Sequence, residues 1–551
     1  MFSRALTVAC IAGLALSTTA ALGQFSSDPA AQLQVGFNAG AQSKVRKNPL
    51  GGSYIAWQGA QGQGGNTHVQ RLDADGNAMW AAGGVQVTSA AYTGSFEDFG
   101  FDVDASGNVL VAHRDNSSGV LGISLQKVAP DGTPLWGANG VAIPGGPAGS
   151  TDSPHSPRVT CLSDGGYAVG FSRGSTTSTA TSRACYQKVS ASGTLLWNGG
   201  QAVVIAPAAN GYSAMEIVAG DNGDAIAFFF TSGSFSVSRR IHAQKLDGAT
   251  GAQLWNGGSP VIVQLASTLQ IGNFPQVLSD GSGGALVTWY ETSSPLQCLV
   301  QHLNSSGASL FPAGGATATN GAIAGQQRVS PHVAYDAVTQ TTYMAFSETN
   351  TSQGASGLGV QAFDAAGNRL WGDAGQVIVP VGVTSHQCTF ARASLTSGGF
   401  IATWFESDNA GVASVVRSAK LNAADGTTAW ASPITTVNSS QAAKSRLDVV
   451  AASAGGPTIA TYGDGGVTNV IASRINDDGT IGPAAPTCGT SDFNGDSDFG
   501  TDADIEAFFA CLAGNCCPTC FVGGSDFNQD GDFGTDADIE SFFRVLGGGP
   551  C

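Results

Sequence analysis

Along most of the chain, apolar and polar residues alternate in short runs that end at turns. Val69-Gln70-Arg71-Leu72 has the strand period of two, and Asp73-Ala74-Asp75-Gly76 follows as its turn. The phrase then recurs: VQRLDADGNAMW, LQKVAPDGTPLW, YQKVSASGTLLW, AQKLDGATGAQLW, VQHLNSSGASLF, VQAFDAAGNRLW, SAKLNAADGTTAW and ASRINDDGTIG. Its turn glycines, Gly76, Gly132, Gly193, Gly251, Gly307, Gly367, Gly426 and Gly479, are 56, 61, 58, 56, 60, 59 and 53 residues apart. Each phrase reads as a hairpin, with Asp, Asn and Ser bonding their own backbone in the turn and Gly supplying a positive φ. Most copies end on an aromatic residue, from Trp80 to Trp430, which must pack somewhere.

A second hairpin precedes each phrase, as in RVTCLSDGGYAVGFS and SLTSGGFIATWFES, and a short β-rich piece such as GVQVT or QVIVP follows. One unit therefore holds about four antiparallel strands. Repetition of such units with no helical period predicts an all-β fold, a β-propeller of about eight four-stranded blades. A β-solenoid or two sandwiches are the alternatives, and a solenoid coil needs far fewer residues per turn. The eighth copy stops at Ile481-Gly482 without its last strand, and LQVGFN at residues 33–38 offers one. Leu33 to Phe37 is expected to complete the last blade and so remove the open edges. Seven blades result if one copy stands outside the ring.

Composition narrows the picture. The chain has 551 residues, only 11% charged, with 77 glycines and a net charge of −17. Between Cys488 and Cys551 there are 12 acidic residues and one basic residue, so −11 of that charge lies in the tail. No basic face is visible, which excludes nucleic-acid binding by bulk charge. The N-terminus reads as a signal peptide over residues 1–23: Arg4, the apolar stretch Ala5 to Leu16, then Ala21-Leu22-Gly23. No later stretch is long and apolar enough to span a bilayer. The mature protein is expected to be secreted or held at the cell surface, with residues 24–485 as the propeller and 486–551 as a small separate domain.

Export permits disulfides. Cys488, Cys511, Cys516, Cys517, Cys520 and Cys551 crowd the tail and read as a stapled domain; zinc at Cys517-Pro518-Thr519-Cys520 is the alternative. In the body, Cys161 and Cys185 share one repeat and are candidates to pair, as are Cys298 and Cys388, two repeats apart.

The tail repeats one stretch, DFNGDSDFGTDADIEAFF from residue 492 and DFNQDGDFGTDADIESFF from residue 526. Oxygen donors alternate at Asp492, Asn494, Asp496 and Asp498, and again at Asp526, Asn528, Asp530 and Asp532. Hard oxygen ligands in this spacing suit Ca2+, one ion per loop. Phe499 and Phe533 are expected as apolar anchors. Ile505, Phe508, Phe509 and Leu512, repeated by Ile539, Phe542, Phe543 and Leu546, draw one apolar helix face per copy.

The duplicated loop and helix resemble dockerin, in its cysteine-rich form on exported planctomycete proteins. The resemblance implies two calcium ions and docking to a cohesin-like protein, with Thr501 and Thr535 near the place where partner choice is made. Dockerin loops carry a carboxylate at position 12, where this chain has Ala503 and Ala537. Asp504 and Asp538, one residue later, are the candidate closing ligands, with Asp502 and Asp536 as rivals. The body resembles bacterial delta-60 type propeller repeats and, at DGATGAQLW (residues 247–255), the quinoprotein repeat whose phrase docks blades together.

Candidate chemistry in the body is sparse. Glu291, Glu348 and Glu406 occupy the same repeat position, 57 and 58 residues apart, so a propeller would set them on one ring as a possible sugar or cation site. His155, His332 and His386 are expected before the first strands of three units, at unequal offsets, and read as structural. No triad, metalloprotease helix or phosphate loop is present. Two functions follow: a non-catalytic propeller that binds glycan or protein, or a glycoside hydrolase using these carboxylates.

Overall fold

The computed structural model describes residues 23–549 apart from 38, 60–65, 88–98, 116–120, 145–152, 176–177, 206–210, 233–238, 265–268, 270–274, 293–294, 321–324, 383–385, 408–412, 453–455, 466–468, 484–487 and 530–532. The signal-peptide reading lies outside the described residues, Gly23 excepted. The chain divides into two compact units, Met1–Gly482 and Pro483–Cys551.

The first unit holds eight four-stranded antiparallel sheets, at 39–86, 100–143, 153–205, 211–262, 276–317, 326–379, 387–442 and 444–475. In seven of them the strands lie in chain order. In the eighth, Leu33–Phe37 is the fourth strand and pairs with Asn469–Ile475, Leu33 opposite Ala472 and Phe37 opposite Asn469. The first strands touch their neighbours in a closed circle, the eighth (Lys444–Ala451) against the first (Ala39–Lys47). This unit is an eight-bladed β-propeller closed by the strand Leu33–Phe37.

The inner circle is tied by side chains at one register level. Lys44 donates to the Phe99 carbonyl of the next blade at 2.6 Å, Arg392 to Leu447 at 2.8 Å, and Asp448 accepts from the Val45 amide at 3.0 Å. Gln276 bonds both the amide (2.7 Å) and the carbonyl (3.1 Å) of Val333. His332 Nδ1 accepts from the Ala393 amide at 3.1 Å. Burial, helped by Arg392, holds this histidine well below its ordinary pKa, so the ring stays neutral and can accept.

The alternation of the phrase strand has a different meaning from a half-solvated sheet. Gln70, Gln126, Gln187, Gln244, Gln301 and Gln361, its polar positions, are fully buried. Each blade is packed on both faces, so the amide side chain turns inward and clamps the following turn. Gln244 Oε1 accepts from the amides of Lys245 (2.9 Å) and Trp255 (2.8 Å), and Gln187 does the same for Lys188 (2.8 Å) and Trp197 (2.9 Å).

The aromatic that ends each phrase packs under the next blade's phrase. Trp80 Nε1 donates to Pro130 O at 2.9 Å, Trp255 to Ser305 at 2.9 Å and Trp430 to Asp477 at 2.8 Å. The turn glycine of that next phrase makes room for the ring. A Cβ on Gly307 would stand 2.6 Å from Trp255, on Gly426 2.6 Å from Trp371, and on Gly479 2.8 Å from Trp430. In the first blade a Cβ on the corresponding Gly76 would stand 2.7 Å from the Phe25 ring, so the N-terminal segment supplies the eighth aromatic as well as the missing strand. Gly307 has φ +82° besides. Gly307→Val is expected to lose about 1–3 kcal/mol to backbone strain and about 1–3 kcal/mol to overpacking. Guanidinium unfolding checks this, and a midpoint equal to the parent's would remove the slot from the account.

Antiparallel order sends the first-to-second turns and the phrases to one face of the propeller. The loops from second to third strands, and from each fourth strand to the next blade, open on the other face.

The second unit carries two helices, α1 (Asp502–Leu512) and α2 (Asp536–Leu546). Its core is Phe493, Phe508, Phe527 and Phe542, all fully buried, with Phe508 and Phe542 stacked at 4.1 Å between centroids. The anchors expected at Phe499 and Phe533 are instead 66% and 71% exposed. Phe493 and Phe527 take that role, because the backbone beside them is drawn onto the helix start. Thr501 and Thr535 are the helix N-caps, each bonded to Asp504 or Asp538 in a capping box.

Two disulfides staple this unit, Cys511–Cys516 and Cys517–Cys520, and Cys488 is disulfide-bonded as well. The zinc alternative at Cys517 and Cys520 is thereby set aside. In the propeller the expected pairs do not form: Cys161, Cys185, Cys298 and Cys388 all remain thiols. Cys161 and Cys185 lie on the first and third strands of one sheet, with the second strand between them. That is about 10 Å by strand spacing, beyond the roughly 7 Å a disulfide spans. Cys298 and Cys388 have a whole blade between them.

Candidate functional site

On the face opposite the phrases, second strands end in acids. Glu291 pairs across to Gln297, Glu348 to Gly357 and Glu406 to Val415, each at or beside the last pair of its strand. The structure brings the three carboxylate positions into one register on consecutive blades. It also extends the row, with Asp464 opposite Asn469 in the eighth blade and Asp115 opposite Gly122 in the second. Sequence reading missed both because they are Asp in unlike surroundings. Counting two residues on from the aromatic ring of each second strand, His113 and Tyr462 here, would have found them.

The row is not uniform. Asp464 accepts from Asn438 at 3.2 Å and from Ser440 and Lys444 at 3.3 Å each. Asp115 accepts from Ser124 at 2.6 Å. Glu291 is buried, and its backbone bridges Leu269. Glu348 Oε1 takes both Nε and Nη2 of Arg328, each at 3.2 Å, with both side chains buried. Burial pushes the Glu348 carboxyl above the usual range, and the Arg328 charge opposes this only in part.

Glu406 has the richest surroundings. Its Oε2 accepts from Trp404 Nε1 at 3.0 Å. Its Oε1 stands 3.7 Å from Arg417 Nε and 3.8 Å from His386 Nε2. Cys388 lies directly across the strand pair from Glu406. Burial first, and the Glu406 charge second, push the Cys388 thiol up. His386 sits one residue ahead of the strand Gln387–Thr396, with Gly382 against its ring. His155 and His332 lie inside first strands; burial, with Arg114 nearby, takes His155 down to about 4.

In the second unit the first loop, Asp492 to Asp498, is folded on its own amides. Asp492 Oδ2 accepts from Ser497 N at 3.0 Å, Asn494 Oδ1 from Asp496 N at 3.0 Å, and Asp496 Oδ1 from Asp498 N at 2.8 Å. Asp492 Oδ1 is buried with no protein donor among the described residues. Asp526 and Asn528 hold the equivalent places in the second copy; Asp530 and Asp532 lie outside the described residues.

Asp504 and Asp538 are fully buried and belong to the helix starts. Asp504 accepts from the amides of Phe493 (2.8 Å), Asn494 (3.2 Å) and Thr501 (2.9 Å), and from the Thr501 hydroxyl at 3.0 Å. Burial alone would raise this carboxyl, but these bonds outweigh it and hold it below the usual range. Asp538 accepts from Asn528 N at 3.3 Å and from Thr535 N and Oγ1, each at 2.8 Å. Both residues join loop to helix. Asp502 and Asp536 sit in the first helical turns, exposed.

No family model and no curated protein matches the chain. Among solved structures it is similar to an ulvan lyase of a polysaccharide lyase family, bound to an oligosaccharide of GlcA and Rha3S. That match has 9% identity and a TM-score of 0.44, and covers 81% of this chain and 96% of that one. It is also similar to the Dos1 propeller, at 13% identity and a TM-score of 0.42, over 80% of this chain and 94% of that one. A third match is an α-L-arabinanase from Penicillium chrysogenum complexed with arabinobiose, at 12% identity and a TM-score of 0.36, over 61% and 99%. Among the described residues no helix is long and apolar enough to cross a membrane.

Proposed function

We propose that this is a secreted or cell-surface propeller that binds a glycan or a protein without chemical turnover, and that its C-terminal unit is a calcium-dependent dockerin docking to a cohesin-like partner. The observation that carries the first half is the state of the acid row. Glycoside hydrolysis needs two carboxyl groups that reach the substrate, one able to give a proton. Glu348 is locked in a buried pair with Arg328, Glu291 is buried, and Glu406 is oriented by Trp404 and faced by Arg417. Incubating the full chain with a polysaccharide panel, scoring retained protein and released reducing ends together, tests the reading. Retention without release is expected. Release that disappears in Glu406→Gln or Glu291→Gln would make the protein a hydrolase.

Two features support the second half. Asp492, Asn494, Asp496 and Asp498 form an all-oxygen set of the kind Ca2+ takes, and Asp492 Oδ1 is a buried acceptor with no protein donor among the described residues. Phe499 and Phe533 leave large apolar rings in water on a small unit, as a docking surface does. Asp526, Asn528, Asp530 and Asp532 would hold the second ion. Bound calcium would neutralise part of the tail's −11 and tie each loop to the helix start that Asp504 or Asp538 already clasps. Calorimetric titration of chelator-treated protein should show two calcium ions per chain. Asp492→Ala should leave one; unchanged stoichiometry, or no calcium uptake by the parent, would end this reading.

A further inference from the structure

His386, Cys388 and Glu406 bring a nitrogen, a sulfur and an oxygen within 4.8 Å of one another. Among the described residues no other three His, Cys, Asp or Glu side chains do so. We propose that this cluster is a binding site for a divalent transition-metal ion, Zn2+ in the first place, held by Cys388 Sγ, Glu406 Oε1 and a ring nitrogen of His386, with one position open.

The fold sets the donors. Cys388 and Glu406 are cross-strand partners, so their side chains leave the sheet on the same side. His386 precedes Cys388 by two residues, the period that returns a side chain to that side. Glu406 comes with an outer partner already in place: the Trp404 indole takes Oε2 at 3.0 Å, and Oε1 stands 3.8 Å from His386 Nε2 and 3.7 Å from Arg417 Nε. Ligating carboxylates are oriented in this way by a second hydrogen bond. His386 Nδ1 is buried with no protein partner among the described residues. Ligation through Nδ1 would relieve the desolvation cost such a nitrogen carries, and Nε2, 3.8 Å from Glu406 Oε1, is the other ring donor.

The donor types select the ion. A thiolate, an imidazole and a carboxylate suit Zn2+ and its neighbours, not Ca2+ or Mg2+. Around a tetrahedral zinc these donors would stand about 3.3–3.6 Å apart, from Zn–S of about 2.3 Å and Zn–N or Zn–O of about 2.0–2.1 Å. The observed 3.8 Å between His386 and Glu406 lies within a small rotamer adjustment of that spacing. The thiolate and carboxylate would balance the ion's charge. Binding releases one proton, from the Cys388 thiol to solvent, as the sulfur–metal bond forms. Three protein ligands leave the fourth position to water or to a donor from a bound partner. The site stands on groups that the calcium loops do not use, and it holds whether or not the propeller binds glycan.

Cobalt is the probe. Full-length chain, stripped with chelator and kept in calcium to occupy oxygen-only loops, is titrated with Co2+. One equivalent should bring the visible bands of a tetrahedral ion and the near-ultraviolet charge-transfer band of a cobalt–thiolate bond, and Zn2+ should discharge both. Cys388→Ser should abolish the charge-transfer band. His386→Gln, at a part-exposed position outside the strands, should weaken Co2+ binding by more than the roughly 10–100-fold cost of losing an outer partner. Trp404→Phe should weaken it by that smaller factor and keep the thiolate band. Absence of the band in the parent overturns the site. So does its survival in Cys388→Ser, or unchanged affinity in a folded His386→Gln.

Discussion

Removing residues 24–37 should unfold the propeller at temperatures where the full chain is stable, and what stays compact should aggregate. Two independent contacts leave with this segment. Leu33 and Val35, both buried, fill the outer side of the eighth blade, and without them the strand Asn469–Ile475 becomes an open edge. Unpaired edges recruit other chains. Phe25, also buried, leaves the slot over Gly76; elsewhere in the ring that slot holds a tryptophan or, over Gly367, Phe311. Phe25→Ala alone is expected to cost about 3–5 kcal/mol, the usual range for deleting a buried aromatic. The full deletion should exceed it, since the closing strand pairing and a hydrogen bond from the Phe25 amide to Asp75 O (2.8 Å) go as well. Melting curves and size-exclusion profiles of parent, Phe25→Ala and deletion check this. A deletion variant that stays monomeric with the parent's midpoint would mean that the ring closes without its N-terminus.

That closure was legible in the sequence because a repeat with a missing piece points to the piece. ASRINDDGTIG lacks a strand, and LQVGFN is a strand-like stretch that belongs to none of the eight phrases. The eight turn glycines fixed the unit, but one of their two functions was hidden. Positive φ can be inferred from the Asp-x-Asp-Gly phrase alone, whereas the seat they make for the previous blade's aromatic depends on blades packing face to face. The buried glutamines show the same limit from the other side. Alternation marks Gln70 and its equivalents as polar positions on a strand, and period two does not say whether the far side meets water or another blade.

The site divides similarly. Glu291, Glu348 and Glu406 were visible because one motif position carries one residue type at nearly equal spacing. Asp115 and Asp464 needed the register of the second strands. The His386–Cys388–Glu406 cluster needed the pairing of Cys388 with Glu406, which no local pattern encodes. In the tail, the alternating acids were plain, yet their division of labour was not. Asp504 and Asp538 read as closing ligands of the loops, and only the helix start shows them buried in capping boxes with Thr501 and Thr535. Phe499 and Phe493 look alike in sequence; the backbone bonds to Asp504 decide which ring goes inside.

Arg328→Met should be the most damaging single change in the acid row, and its cost should depend on pH. The Arg328 guanidinium and the Glu348 carboxylate are both buried, and each supplies the other's charge. Taking away one partner of such a pair leaves an uncompensated charge inside the protein, which costs about 3–5 kcal/mol. Glu348 already lies above the usual carboxyl range through burial, and loss of Arg328 should send it higher still. A carboxyl whose folded pKa is raised holds more protons folded than unfolded between the two pKa values. Stability therefore falls as pH rises through that window and levels off above the folded value. The window starts at the ordinary Glu value, so the variant should lose little in acid, where Glu348 is neutral in both states, and most near neutrality. Replacing both partners, Arg328→Met with Glu348→Leu, should recover much of the loss, because two apolar groups need no charge partner. Denaturant unfolding of the two single variants and the double variant across pH gives the cycle. If Arg328→Met is as costly in acid as at neutral pH, the arginine's packing, not its charge, is what the eight-bladed ring depends on at this position.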